Sequence, residues 1–202
     1  DPIDPNGTDL LAVREALFGK TSNVYFTGKK LETDKMNLLY NIADATCLPS
    51  SNEGFGLSLN ESLLAGTMII ANVTGGMQDQ MRFEDKDRNW INFNENFLSN
   101  HFGTYKKCGD WAKPVFPNNM SLVGSVQTPY IWDDRLDFRD LAKAIEEVYE
   151  LGPVKRIENG LKGRDWVLGD ESMMCATNMC KNMIEGINET LEKFIPKESF
   201  EI

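Results

Sequence analysis

A single histidine, His101, and four cysteines without a CxxC pair leave this 202-residue chain short of zinc ligands. A structural zinc site gathers nitrogen and sulfur ligands in fixed clusters, so none is expected. No run of 18 apolar residues exists to cross a membrane, and no secretion signal is expected. The cysteines, Cys47, Cys108, Cys175 and Cys180, read as reduced packing residues, and the protein as cytoplasmic. Asn-x-Ser/Thr matches such as those at Asn6, Asn72, Asn119 and Asn188 are accordingly read as accidental. There is no basic stripe: 31 acidic against 21 basic residues give a net charge of -10, which argues against nucleic acid or an anionic membrane as main partner. The GxGxxG turn of a dinucleotide oxidoreductase is missing too. Nor does a strand lead the chain. DPIDPNGTDLLAVREALFG passes from a turn straight into a helix, so the sequence is expected to be part of a larger molecule.

What is present is an alternation of short strands and helices. Helices are expected over 10–18, stopped by Gly19, over 35–43 with Asp34 as cap, and over 55–65 with Gly66 as carboxyl cap. Strands are expected over 23–27, 45–48 and 68–71, nearly all apolar, as burial on both faces requires. Such alternation with short links predicts an α/β domain, a mostly parallel sheet with helices on both faces. One domain is expected over 1–202. After Met81 the rhythm breaks, with one strand expected near 90–93. Residues 94–134 then read as a long ordered excursion, too aromatic for a flexible linker. Helices return over 137–151, closed by Gly152 and Pro153, over 155–167 and over 171–194. The last carries a stripe of Ala176, Cys180, Met183, Ile187, Leu191 and Phe194 and reads as core or a docking surface.

The chemistry concentrates between Asn41 and Met77. A strand ending near Leu48 enters the turn Ser50-Ser51-Asn52, and Gly54 and Gly56 let backbone pass close to a ligand. A helix follows at once, and its first N–H groups lack internal partners and favour an anionic oxygen. Glu61, two turns in, can accept both hydrogens of a vicinal diol. Glu53, outside the helix, can do the same for a sugar. Gly75 and Gly76 follow the next strand, at the same edge of a parallel sheet, where backbone amides suit a phosphate. The plainer alternative makes these residues solvated acids and turn formers. Asp79 is a further candidate for orienting a hydroxyl. Arg82, Lys86 and Arg88 read as a solvated face and His101 as filler. Lys106, Lys107, Asp110 and Trp111 are candidates to line a cleft.

The run EGFGLSLNE, preceded by LYNIADATCLPS and followed by LLAGTMIIANVTGG, resembles the carboxyl-terminal domain of retaining glycosyltransferases with two Rossmann-like domains, the GT-B architecture. Within that architecture it looks like the large family of sucrose synthase, glycogen synthase relatives and bacterial mannosyl- and glucosyltransferases. Its two glutamates separated by seven residues are Glu53 and Glu61 here. Direct likeness covers about 23–81.

The resemblance implies a Rossmann-like parallel sheet and a nucleotide-sugar donor, a UDP-, GDP- or ADP-sugar, with no cofactor and no metal. It implies that Glu61 binds the ribose hydroxyls. Glu53 contacts the transferred sugar as the catalytic-site carboxylate, and Gly54, Phe55, Gly56 and Leu57, with Gly75 and Gly76, set main-chain amides beside sugar and diphosphate. It also implies transfer of a hexose with retention to a carbohydrate, glycolipid or glycoprotein acceptor, and an amino-terminal GT-B domain in the same or another chain. The Arg and Lys that the family places near the start of this domain are missing with the leading strand. Alternatives are a nucleotide-sugar epimerase of the same fold and a non-catalytic nucleotide-binding or interaction module.

Overall fold

A computed structural model describes residues 7–19, 21–91, 100–127 and 129–196. The chain divides into two compact units, one ending at Leu39 and one beginning at Tyr40. In the first, α1 (Leu10–Phe18) starts at Asp9, whose Oδ1 accepts from the Leu11 and Ala12 N–H groups at 3.0 Å, and stops at Gly19 with φ +68°. Residues 23–27 do not form the expected strand. Their β-rich composition meets no neighbouring strand, and a strand without a ladder is not stable in water. Arg14 instead donates to the Val24 carbonyl at 3.2 Å and lies 5.8 Å from the Phe26 ring. α2 (Thr33–Ile42) runs across the division, with Asp34 in its first turn.

The second unit is built on three parallel strands, β1 (Ala45–Leu48), β2 (Met68–Asn72) and β3 (Ala112–Val115), in spatial order β1-β2-β3. Ala45 stands opposite Met68, and Ile69 opposite Ala112. β2 is buried along its whole length because its faces serve two cores. Ile69, Ala71 and Val73 pack with Leu59 and Leu63 of α3 (Leu57–Leu64), Trp111, and Trp166 and Val167. Met68 and Ile70 pack with Val115 and with Ala144 and Val148 of α4 (Phe138–Glu150). Burying each large aliphatic side chain contributes about 1.5–3 kcal/mol, so β2 anchors the unit.

Two expectations are corrected here. The excursion at 94–134 conceals β3, whose sequence AKPV hides a strand behind a proline. The Trp111 and Val115 carbonyls accept from Ile69 and Val73, so Pro114 turns its nitrogen to the outer side of an edge strand, where no donor is required. The same excursion holds β4 (Asn119–Val123) and β5 (Ile131–Arg135), an antiparallel pair separate from the parallel sheet. The fold is thus α/β with small parallel and antiparallel sheets and flanking helices, broadly GT-B-like, rather than one Rossmann-like sheet. The strand expected near 90–93 is reduced to a bridge between Glu84 and Trp90, and 92–93 lie outside the described residues.

α4 begins where Asp137 accepts from the Arg139 N–H at 2.8 Å. Gly152 and Pro153 end α4 and a second helix follows, as expected. Gly152, at φ +74°, ends one helix direction, and Pro153 stands at the start of α5 (Gly152–Leu168), where a missing N–H costs nothing. α5 approaches the sheet closely through two glycines. A Cβ on Gly160 would lie 2.0 Å from the Gly66 carbonyl oxygen, and one on Gly163 2.7 Å from the Trp111 side chain. α6 (Ala176–Lys193) buries no residue, so its apolar stripe is not core of this chain. Cys47 and Cys180 are exposed rather than packed, Cys47 because β1 is the outer strand; Cys108 is the packing thiol, and burial pushes it up to about 12.

Candidate functional site

Both glycine loops leave the carboxyl edge of the parallel sheet, the first after β1 and the second after β2. The first ends on Gly56 in the left-handed region at φ +83°, from which α3 starts with no side-chain cap among the described residues. Its first turn therefore presents backbone donors at this edge. The second loop, Thr74-Gly75-Gly76, coils into a short 3-10 turn (Gly75–Met77).

The two loops lie backbone to backbone. Gly76 N–H donates to the Glu53 carbonyl at 3.2 Å. A Cβ on Gly75 would stand 2.1 Å from that same oxygen, and a Cβ on Gly76 2.1 Å from the Gly54 carbonyl oxygen. Buried Gln80 reinforces the seam by donating to the Phe55 and Gly56 carbonyls. Glycine is required at 75 and 76 first of all so that one loop can rest on the other. Gly54 differs: nothing stands within 4 Å of its Cβ position, so open space faces it.

Glu61 projects from the solvent-facing side of α3, and the Tyr40 hydroxyl donates to its Oε2 at 2.8 Å. Burial, and then the bond to Glu61, push the Tyr40 phenol up to about 12. Thr67 Oγ1 holds the Tyr40 carbonyl at 2.7 Å, so the donor to Glu61 is itself fixed. Glu53 is half-buried in the first loop, Phe55 likewise, and Leu57 is exposed at the start of α3.

Asp134, from β5, is buried at 3% exposure at the same edge. Its Oδ2 accepts from Thr74 Oγ1 at 2.7 Å and its Oδ1 from Asn100 Nδ2 at 2.6 Å. Its N–H donates to the Ser51 carbonyl at 2.8 Å, and its carbonyl accepts from Asn72 Nδ2 at 2.9 Å. Asn72 also donates to the Ser50 carbonyl at 3.0 Å, and its full burial in this network leaves no room for a glycan. One residue of the excursion thus ties both glycine loops together.

Tyr40, Asn72, Thr74, Gln80 and Asp134 escape a reading by motif. Tyr40 looks like one more apolar face residue of a helix, and Asp134 lies 60 positions from Thr74. Only the polar character of Asn72 at the end of an otherwise apolar strand hints at the network.

The other candidates scatter. Asp79 starts a second 3-10 turn (Asp79–Met81) beyond the glycine pair. Arg82, Arg88, Lys107, Asp110 and Trp111 line a separate cleft of 470 Å³ at the amino end of β3, the far edge of the sheet. Arg82 is there held by Glu84 and by Glu171, the latter at 2.8 Å. Lys106 lies over the Phe116 ring at 4.2 Å. His101 is buried, edge-on to Phe83 at 4.5 Å and to Tyr105 at 5.4 Å, and burial lowers its pKa. Among the described residues no group of three or more His, Cys, Asp or Glu side chains is placed to hold a metal ion, and no helix is long and apolar enough to cross a membrane.

Glycine loops stacked at the carboxyl edge of a parallel sheet, beside an uncapped helix and a positioned carboxylate, stand at the edge where open α/β proteins bind ligands. Residues 13–96 match the sequence model of the family described as glycosyl transferases group 1, a superfamily-level match to GT-B-like glycosyltransferases. The chain is also similar to an uncharacterized glycosyltransferase of Methanocaldococcus jannaschii, 28% identical over 119 residues. That likeness takes in 58% of this chain and only 28% of the relative's length.

Proposed function

We propose that this chain is the donor-binding part of a retaining glycosyltransferase that transfers a hexose from a UDP-, GDP- or ADP-sugar. The observation that carries the reading is the seam between the loops, Gly76 N–H on the Glu53 carbonyl, with Glu61 held by Tyr40 on the adjoining helix. In this reading the α3 amino end faces the donor, and its main-chain donors meet the diphosphate charge without an ion. Glu61, with one oxygen already bound by Tyr40, is oriented to accept ribose hydroxyls, and Glu53 to contact the transferred sugar. Preorganised donors of this kind stabilise leaving-group charge at no reorganisation cost.

An amino-terminal GT-B domain, in the same or another chain, completes the cleft and carries the opposite wall for a carbohydrate, glycolipid or glycoprotein acceptor. All four cysteines are free thiols, which fits work in the reducing cytoplasm. Calorimetric titration with UDP, GDP and ADP tests the reading. One nucleotide is expected to bind in the micromolar to millimolar range and to lose that binding in Glu61→Ala. No binding of any of the three rejects it.

A further inference from the structure

The cleft at the amino end of β3 lies at the opposite edge of the parallel sheet from the glycine loops and takes no part in the donor reading. Its volume of 470 Å³ falls in the range of small-molecule sites. Trp111 and Trp166 form part of its wall, stacked with ring centroids 5.1 Å apart. Their indole N–H groups are spent on the Gln80 carbonyl at 3.0 Å and on Glu171 at 2.8 Å, so the rings offer the cleft apolar surface. Around them stand four basic side chains, Arg82, Arg88, Lys107 and Lys162, against two carboxylates, Glu84 and Asp110. That balance is positive in a chain of net charge -10.

The four cations differ. Arg82 is neutralised by Glu84 and Glu171, and Lys162 pairs with Asp110. Arg88 and Lys107, both exposed, are left without an ion pair among the described residues. Both arginines also stand in the left-handed region, Arg82 at φ +52° and Arg88 at φ +69°, where a Cβ is costly and glycine is not. The turn holding Arg88 is built by Asp85, whose Oδ1 accepts from the Asp87 and Asn89 N–H groups at 2.8 and 2.9 Å and whose carbonyl accepts from the Arg88 N–H at 3.2 Å. That turn needs nothing from the Arg88 side chain and would form more readily with glycine. A guanidinium is carried into the cleft against the backbone preference, as happens at ligand sites.

We propose that this cleft binds a sugar monophosphate, at a site separate from the glycine loops. Arg88 and Lys107 take the phosphate, whose charge matches two unpaired cations and whose oxygens accept their charge-assisted hydrogen bonds. Glu84 and Asp110 repel a simple anion, but each keeps lone pairs beyond its ion pair and accepts hydroxyl hydrogens, which selects a polyol. The indole surface of Trp111 and Trp166 suits the apolar C–H face of the sugar ring.

The test is calorimetry on the intact protein with glucose 6-phosphate, glucose 1-phosphate and mannose 6-phosphate, against inorganic phosphate and glucose. At least one sugar phosphate is expected to bind, with inorganic phosphate and glucose each about tenfold weaker or more. Arg88→Gly should weaken that sugar phosphate about tenfold or more, while its thermal midpoint stays level or rises because glycine relieves the left-handed backbone. Lys107→Gln should weaken it about fivefold, and Lys86→Gln, outside the cleft, should change nothing. A mixture of UDP, GDP and ADP should not displace it. Displacement places the sugar phosphate at the glycine loops and overturns the proposal. So does binding indifferent to Arg88→Gly and Lys107→Gln, inorganic phosphate binding as tightly as the esters, or no binding of any of the three.

Discussion

Gly76 rests on Gly54 so closely that a Cβ added to Gly76 would lie 2.1 Å from the Gly54 carbonyl oxygen. Neither partner is a flexible side chain, so the contact cannot be relieved without parting the loops. Gly76→Ala is therefore expected to cost about 1–3 kcal/mol or more and to abolish nucleotide binding. Gly54→Ala should fold with its thermal midpoint unchanged, since its Cβ meets nothing within 4 Å. If Gly54 admits a ligand, that same variant will bind nucleotide at least tenfold more weakly, a loss of about 1.4 kcal/mol. Paired thermal melts and calorimetry separate the two effects.

Tyr40 orients Glu61 through a single hydroxyl. Tyr40→Phe removes that donor while keeping the ring. The net loss for one hydrogen bond is about 0.5–1.5 kcal/mol, so nucleotide affinity should fall about two- to tenfold. Unchanged affinity in Tyr40→Phe would show that the Glu61 orientation does not matter for binding.

Asp134 accepts from Thr74 and Asn100 within a buried network. Asp134→Ala strands both donors, each at about 1–3 kcal/mol, and should lower the denaturation midpoint strongly. Asp134→Asn is expected to lose less than half as much, because its amide oxygen can still accept from Asn100 and its NH2 can donate to Thr74 Oγ1. Urea unfolding of the two variants side by side reads the difference. Equal losses would mean that the charge, not the hydrogen bonding, holds the hairpin to the loops.

His101 sits among Phe83, Tyr105 and Phe116, and burial lowers its pKa below the ordinary 6.5. The unfolded chain therefore binds this proton more readily than the folded one. The stability tied to neutral His101 is complete above pH 6.5 and is lost as pH falls toward the lower folded pKa. The slope is at most about 1.4 kcal/mol per pH unit, the value for one proton. His101→Phe should flatten this part of the stability profile between neutral and mildly acidic pH. A profile identical to that of the parent protein would remove His101 as its source.

By itself, the sequence determined α1 and the alternation from α2 to β2, because each of those elements carries its own local signals. The apolar β2 sits between Gly66 and Gly75, Pro49 stops β1, Asp9 caps α1, and the paired glutamates flank a glycine turn. The two loops that meet at the sheet edge were legible for the same reason: Glu53 to Glu61 and Gly75-Gly76 are short motifs whose backbone demands are local. Tertiary structure alone decided the rest. The β-rich stretch at 23–27 stayed unpaired because pairing depends on a neighbour, not on composition. The strand at Ala112–Val115 formed despite Pro114, because an edge position excuses the missing donor. Above all, the meeting of Gly76 with Glu53, of Tyr40 with Glu61 and of Asp134 with Thr74 joins residues 21 to 60 positions apart. No periodicity or propensity encodes such contacts. They follow only once the parallel sheet brings its carboxyl ends to one edge.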